Sequence, residues 1–154
     1  FATSGKRGYK KDLARMAMCY PHVYVACCNI GYNKEQYLKA IREASLHDGP
    51  SIIIAYAPCI EHGIKAGMEY SMAEGELASS CGYFPIFRYN PDNDNFILDS
   101  KNVDFSKYDE FLSHENRYNK LKRFNKEEAS RLLGLQKEMA IKRFEYYKKM
   151  DLSE

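Results

Sequence analysis

The sequence predicts an α/β fold with parallel strands and flanking helices, followed by a mainly helical carboxyl-terminal extension. Three observations predict it. Two apolar runs, Val23 to Cys28 and Ile52 to Ala55, are rich in β-favouring residues and lack the alternation of a strand with one wet face, so both read as strands covered on two sides. Between them, Lys34 to His47 has a helical period, which makes a strand–helix–strand unit with parallel strands. Beyond residue 95 the composition turns aromatic and charged, with a helical period from Asn125 to Met150. The division is therefore 1–95 and 96–154.

Taken in order, Asp12 can cap a short helix with Leu13, Met16, Ala17 and Tyr20 on its apolar face, stopped by Pro21. Asn29, Gly31 and Asn33 form a turn after the first strand. Asn33 and Gln36 have capping-box spacing, and Tyr37, Leu38, Ile41 and Ala44 share a face of the helix that Gly49-Pro50 closes. From Pro58 to Met68 the periodicity stops and a glycine-containing loop begins. Ser71 and Glu74 resemble another capping box, for a helix that ends near Gly82. Phe84 to Tyr89 reads as a strand with Pro85 at its start or on an edge, and Asn90 to Asn95 as turn chemistry. Phe96-Ile97-Leu98 follows, then a short amphipathic helix from Asp104 to Leu112. On the final helix Ala129, Leu132, Leu133, Gln136, Ala140, Phe144 and Tyr147 fall on one face.

Composition sets limits on function. With 154 residues, 45% hydrophobic and 29% charged, the chain is long enough for one core that removes roughly two thirds of its surface from water. Disorder is excluded. Its apolar runs fall well short of the roughly 18 residues that span a bilayer, so no membrane partner is expected. The net charge is +2, but 8 basic and 4 acidic residues in 1–50 give way to 2 and 7 in 51–100, then 13 and 10 in 101–154. An acidic centre between basic flanks lacks the clustered positive field of a nucleic-acid groove. Five cysteines without a regular framework suit a reducing, intracellular compartment such as the cytoplasm. Phe1 stands where a translated chain would have Met, so the sequence reads as a fragment.

Several residues invite chemistry. Cys19-Tyr20-Pro21-His22 and Cys59-Ile60-Glu61-His62 can together be written as four zinc ligands, but Pro21 and a helical Cys19 do not make a zinc knuckle. Cys19, Cys27, Cys28 and Cys81 read as small buried hydrophobes. Cys59 differs in position, because ligands of open parallel sheets bind beyond the carboxyl ends of the strands, where Pro58-Cys59 falls. A thiolate there can meet a metal centre or a second domain. Glu61 and His62 are candidates for acid–base work or plain loop polars. His22, His47 and His114 have no identifiable partner, and Gly5-Lys6-Arg7-Gly8 lacks a phosphate-loop pattern.

An ordered set of strings carries a resemblance. It comprises Lys10-Lys11-Asp12-Leu13, Met16-Ala17-Met18, His22-Val23-Tyr24-Val25-Ala26, Pro50 to Tyr56, Pro58-Cys59-Ile60-Glu61-His62-Gly63, Arg88-Tyr89-Asn90-Pro91, Leu98 to Lys101 and Arg117-Tyr118. Together they resemble the carboxyl-terminal part of the pyruvate:ferredoxin (flavodoxin) oxidoreductases, over essentially the whole chain. The resemblance implies a thiamine-diphosphate-binding-type fold, with residues 1–95 as the later half of that domain and 96–154 as the extension. It implies conversion of pyruvate and coenzyme A to acetyl-CoA and carbon dioxide, with one-electron transfers through 4Fe-4S clusters to ferredoxin or flavodoxin. Thiamine diphosphate with magnesium carries the carbon chemistry. By the same resemblance Cys59 is the remote fourth ligand of the 4Fe-4S cluster nearest the thiamine. No catalytic residue carries over, because the diphosphate and magnesium motif lies outside this chain. The piece alone is expected to be inactive and to hold none of these cofactors, and the parent is expected to be a homodimer. A non-catalytic assembly domain and the corresponding part of a pyruvate:NADP oxidoreductase are the alternatives.

Overall fold

A computed structural model describes residue 8 and residues 10–151. Gly5, Lys6 and Arg7 lie outside the described residues. At the centre is a sheet of four strands in the order β2-β1-β3-β4, made by β1 (Tyr24–Cys28), β2 (Ser51–Ala55), β3 (Phe87–Asn90) and β4 (Asn95–Leu98). β1 and β2 are parallel, with Tyr24 opposite Ser51 and Cys28 opposite Ala55, as the apolar runs predict. The sheet is nevertheless mixed. β3 lies antiparallel on the other side of β1, and β4 folds back on β3. The Asn90–Asn95 turn explains the second of these pairings, because a tight turn returns the chain antiparallel whereas a parallel neighbour needs a long crossover. In that turn the Asp92 N–H donates to Asn90 Oδ1 at 2.9 Å, and Asp94 adopts φ 52°, a conformation Asp tolerates.

Among the described residues six α-helices surround the sheet: α1 (Leu13–Met18), α2 (Lys34–Leu46), α3 (Ser71–Ser80), α4 (Tyr108–His114), α5 (Asn116–Phe124) and α6 (Lys126–Asp151). Side chains alternate along β1 and sort the layers. Tyr24, Ala26 and Cys28 meet Ala40 on α2. Val25 and Cys27 face the other way, into a cluster with Phe87, Phe96, Phe144 and Tyr147. All five residues of β1 are buried, as the uniformly apolar run requires. The tail helix is covered by this same chain: Ala129, Leu132, Leu133, Ala140, Phe144 and Tyr147 are buried. The Tyr147 ring lies 4.5 Å from Phe87, and its hydroxyl donates to Asp12 Oδ2 at 2.6 Å. Asp12 also accepts from the Arg15 N–H as the cap of α1. One carboxylate thus ties the first helix to the last.

Five local expectations are corrected. β2 is an edge strand with Ile52 37% exposed, because its outer side has no partner among the described residues. In α1 the buried residues are Ala14 and Ala17, while Leu13, Met16 and Tyr20 are exposed; only small residues fit where this six-residue helix lies on the sheet. In α2 the inward residues are Gln36 and Ala40 with Tyr37 and Ala44 beside them, and Leu38 (68% exposed) and Ile41 face outward. Gln36 displaces the apolar choice because its amide donates to Cys27 O and Asp99 Oδ2. Ser71 does not cap α3: a 3₁₀ turn at Met68–Tyr70 leads into that helix, and its first residue is already Ser71. α5 carries no sequence expectation at all, and the strand expected from Phe84 starts only at Phe87.

The buried charge is concentrated at Arg88, 6% exposed in the middle of the sheet. Its Nε and Nη2 donate to the two Asp99 oxygens at 3.0 and 2.9 Å, and Nη1 donates to Glu43 Oε1 at 2.6 Å. The Tyr24 hydroxyl donates to the other Glu43 oxygen at 2.8 Å. Burial opposes the Arg88 charge, but Asp99 and Glu43 outweigh it and hold the guanidinium above its ordinary pKa. His47, expected to lack a partner, contacts His22 O at 3.1 Å and Asp92 Oδ2 at 3.2 Å.

Two outcomes are expected. Arg88→Met should cost about 3 kcal/mol by urea denaturation, the low end for a broken buried pair because Glu43 keeps partial hydration. Adding Asp99→Asn should recover part of that loss; a double variant no more stable than Arg88→Met would show that the unpaired carboxylate is not the cause. His47 has a raised pKa, chiefly through its bond to the His22 carbonyl and then through Asp92. Its contribution to stability is therefore complete below the ordinary histidine value of about 6.5 and is lost as pH rises through the raised value. An NMR titration of His47 should show the raised value, lowered by Asp92→Asn.

Candidate functional site

The site begins where β2 ends. Tyr56 N–H still donates to Cys28 O at 2.9 Å, and the chain then leaves the sheet through Pro58 into the Cys59 loop. Gly63 (φ 72°) closes that loop, its N–H donating to Cys59 O at 2.8 Å, a turn that suits glycine. The loop is held from outside as well. Ile64 pairs with Glu115 in an isolated bridge, Lys65 N–H donates to His114 O at 2.8 Å, and Asn116 Nδ2 donates to His62 O at 3.0 Å. The junction of α4 and α5 is therefore the loop's frame. Cys59 is half-buried, with Sγ 3.1 Å from His62 Nδ1.

Beside Cys59 lies a cavity of about 230 Å³ lined by Tyr56, Pro58, Tyr83, Phe84, Glu115 and Arg117, among others. Glu115 is 4% exposed and its Oε1 has no hydrogen-bond partner. Burial pushes its pKa up, the Glu74 charge adds to this, and Arg117, His62 and the Tyr56 hydroxyl act against it. Glu74 is equally buried, its pKa raised by burial and opposed by the His114 ring, whose Nδ1 lies 3.1 Å from Oε2. α3 brings Glu74 here because Asn29, buried at the end of β1, donates to Gly75 O at 2.7 Å and to Ser79 Oγ at 2.8 Å. A Cβ on Gly31 would collide with the Met72 carbonyl, so glycine permits this close approach.

Of the residues singled out from sequence, Cys59 and His62 meet, while Glu61 is exposed beside them. The two Cys-x-x-His pairs do not converge. Cys19 and His22 precede β1 and Cys59 follows β2, so the length of a parallel strand pair, about 16 Å, separates them. No group of three metal-ligating side chains exists among the described residues. Cys27, Cys28 and Cys81 are buried as expected, but Cys19 is exposed and donates to Arg15 O at 3.3 Å. His114, expected to lack a partner, pairs with Glu74. Sequence reasoning missed Glu74, Glu115 and Arg117, because α3 and the α4–α5 junction that carry them meet only in the fold.

No protein-family model matches the chain. Over 97% of its length it is 46% identical to a pyruvate:ferredoxin oxidoreductase of Moorella thermoacetica. Over the same share it is 43% identical to a pyruvate-flavodoxin oxidoreductase of Klebsiella pneumoniae and to a mitochondrial pyruvate dehydrogenase [NADP(+)] of Euglena gracilis. The chain is a homologue of one segment of the pyruvate:ferredoxin and pyruvate:flavodoxin oxidoreductases. It spans 13% of the Moorella and Klebsiella proteins and 8% of the Euglena protein. No helix among the described residues is long and apolar enough to cross a membrane.

The thiols of the segment differ in environment. Burial pushes Cys28 and Cys81 up to about 11 and Cys27 higher still. Thiolate is the reactive form. Iodoacetamide at neutral pH should therefore modify Cys19 and Cys59 of the folded chain and leave Cys27, Cys28 and Cys81 until urea unfolds it, as peptide mass mapping would show. Early labelling of Cys28 would contradict its placement inside the sheet.

Proposed function

We propose that this chain is a working part of a longer oxidoreductase that converts pyruvate and coenzyme A to acetyl-CoA and carbon dioxide and passes single electrons to ferredoxin or flavodoxin. The observation that carries the reading is Cys59. It is a half-buried thiol at the carboxyl end of a parallel strand, in a loop framed by backbone bonds and open to a cavity. A 4Fe-4S cluster takes four thiolates. Cys59 suits one of the four; Cys27, Cys28 and Cys81 are buried and Cys19 lies beyond the opposite end of the β1–β2 pair, which leaves the other three to be supplied from outside these residues. When bound, the cluster supplies one-electron transfer. The chain's own contribution is to fix the Cys59 sulfur through the Gly63 turn and the Asn116 bond, and to keep bulk water from it with Tyr83 and Phe84.

Thiamine diphosphate and magnesium belong to the same reading as cofactors of the longer protein, and no residue here is assigned to them. Residues 1–95 serve as the later half of the thiamine-binding domain and 96–154 as its extension. The unpaired edge of β2, with the outward Leu38 and Ile41 on α2, fits a sheet that continues into the rest of that domain. A pyruvate:NADP oxidoreductase is the second reading, supported by the equal 43% identity to the Klebsiella and Euglena proteins; it alters the electron acceptor and leaves the role of Cys59 unchanged.

The decisive comparison is Cys59→Ala against Cys27→Ala in the full-length oxidoreductase. Cys59→Ala should lose cluster iron and slow ferredoxin reduction by orders of magnitude, while carbon dioxide release in a single turnover persists. Cys27→Ala should cost about 1 to 2 kcal/mol of stability and leave electron transfer intact. Full iron content and normal ferredoxin reduction in Cys59→Ala would sink the ligand assignment.

A further inference from the structure

On the far side of Tyr83 and Phe84 from Cys59 lies a second, larger groove, about 650 Å³, between α6 and the segment that leads into α1. Five cations line it: Lys10, Lys11, Arg15, Lys142 and Arg143. The one acidic residue in its lining, Asp12, already accepts from the Arg15 N–H and the Tyr147 hydroxyl. None of the five forms an ion pair with a carboxylate among the described residues.

The cations are also pre-positioned. The Lys10 ammonium sits 5.1 Å from the Tyr83 ring centroid, and the Arg15 guanidinium 4.1 Å from that of Tyr146. Arg143 donates from Nη2 to Tyr83 O at 2.6 Å, and its buried Nε has no partner. Burial first, then repulsion from Arg143 and Arg117, lowers the Lys10 pKa to about 8. Lys10 and Arg143 meet the same residue, Lys10 over the Tyr83 ring and Arg143 at its carbonyl, so an anion between them would offset their mutual repulsion. Between the cations the wall is apolar, formed by the half-buried Leu135 and Met139.

We propose that this groove binds an organic phosphate, with the phosphate between Lys10 and Arg143 and the apolar body against Leu135, Met139 and Tyr146. A phosphate brings close to two negative charges and three acceptor oxygens in one compact group, where a carboxylate brings one charge. The guanidinium fork of Arg143 suits such a group. The groove volume is within the usual range for small-molecule sites. An acidic stretch of polypeptide spreads its charge along a backbone and matches the concentrated demand at Lys10 and Arg143 less well.

The test uses the 154-residue chain with ADP as the probe, followed by calorimetry and by trace acylation of lysines read by mass spectrometry. ADP is expected to bind saturably, to slow acylation of Lys10 selectively, and to lose affinity about tenfold in Lys10→Gln and in Lys142→Gln. Adenosine should bind far more weakly than ADP. The proposal is overturned if ADP neither binds in the millimolar range nor protects Lys10, if adenosine binds equally well, or if poly-glutamate protects Lys10 where ADP does not. The acylation pattern is read on the unaltered chain, so a failure of either variant to fold leaves the test standing. Iron content and electron transfer play no part in these readouts, so the outcome is separate from that of the Cys59 experiment.

Discussion

Arg88 is the constraint around which the sheet is organised. It sits on the strand between the parallel half and the hairpin half, and its three hydrogen bonds reach Glu43 on α2 and Asp99 just after β4. The desolvation of one guanidinium is offset only when both carboxylates are in place. That condition fixes the position of α2 over the sheet, the end of β4 and, through Tyr24 and Gln36, the register of β1 beneath them. The opposite face has no comparable polar fixture. There Phe87, Phe96 and Tyr147 pack ring against ring, and bonds from α6, Tyr147 to Asp12 and Asp151 to the Leu98 N–H, orient the outer layer.

The two faces bear on the candidate site differently. The polar face holds β1 and β2 in alignment, so the chain leaves β2 towards Cys59 from a fixed point. The helices α3, α4 and α5 then form a collar, in which the α4–α5 junction pairs with the Cys59 loop and Glu74 and Glu115 line its inner side. Two buried carboxylates, each with an oxygen that lacks a partner, are costly to keep charged. Their raised pKa values are the expected response, and Arg117 and His114 moderate it.

What could be read from the sequence depended on how local each cause was. The parallel β1–β2 pair and the buried face of α6 follow from periodicity alone, and the structure has both. The caps at Asp12 and Asn33 were legible because a capping side chain bonds three residues on. β2's exposure was not legible, since an apolar run states what a strand needs and cannot state whether these residues supply it. The inward Gln36 and outward Leu38 reversed the expectation because a polar partner 63 residues away, Asp99, outweighed helical patterning. Cys59 was singled out by strand-end position and by resemblance. Glu74, Glu115 and Arg117 were not, because their neighbourhood exists only after α3 and α5 have docked.

The Tyr147–Asp12 contact has a consequence for synthesis. The aromatic face of the sheet is sealed by Phe144 and Tyr147, near the end of α6, so a ribosome must deliver nearly all of the described residues before that face can close. Until then Phe87 and Phe96 stand open on a hairpin that is already long enough to form. A nascent chain with exposed aromatics and an unpaired apolar strand edge is the kind of species that associates with its neighbours or recruits a chaperone. For this chain, the vulnerable interval is the time taken to translate its last helix.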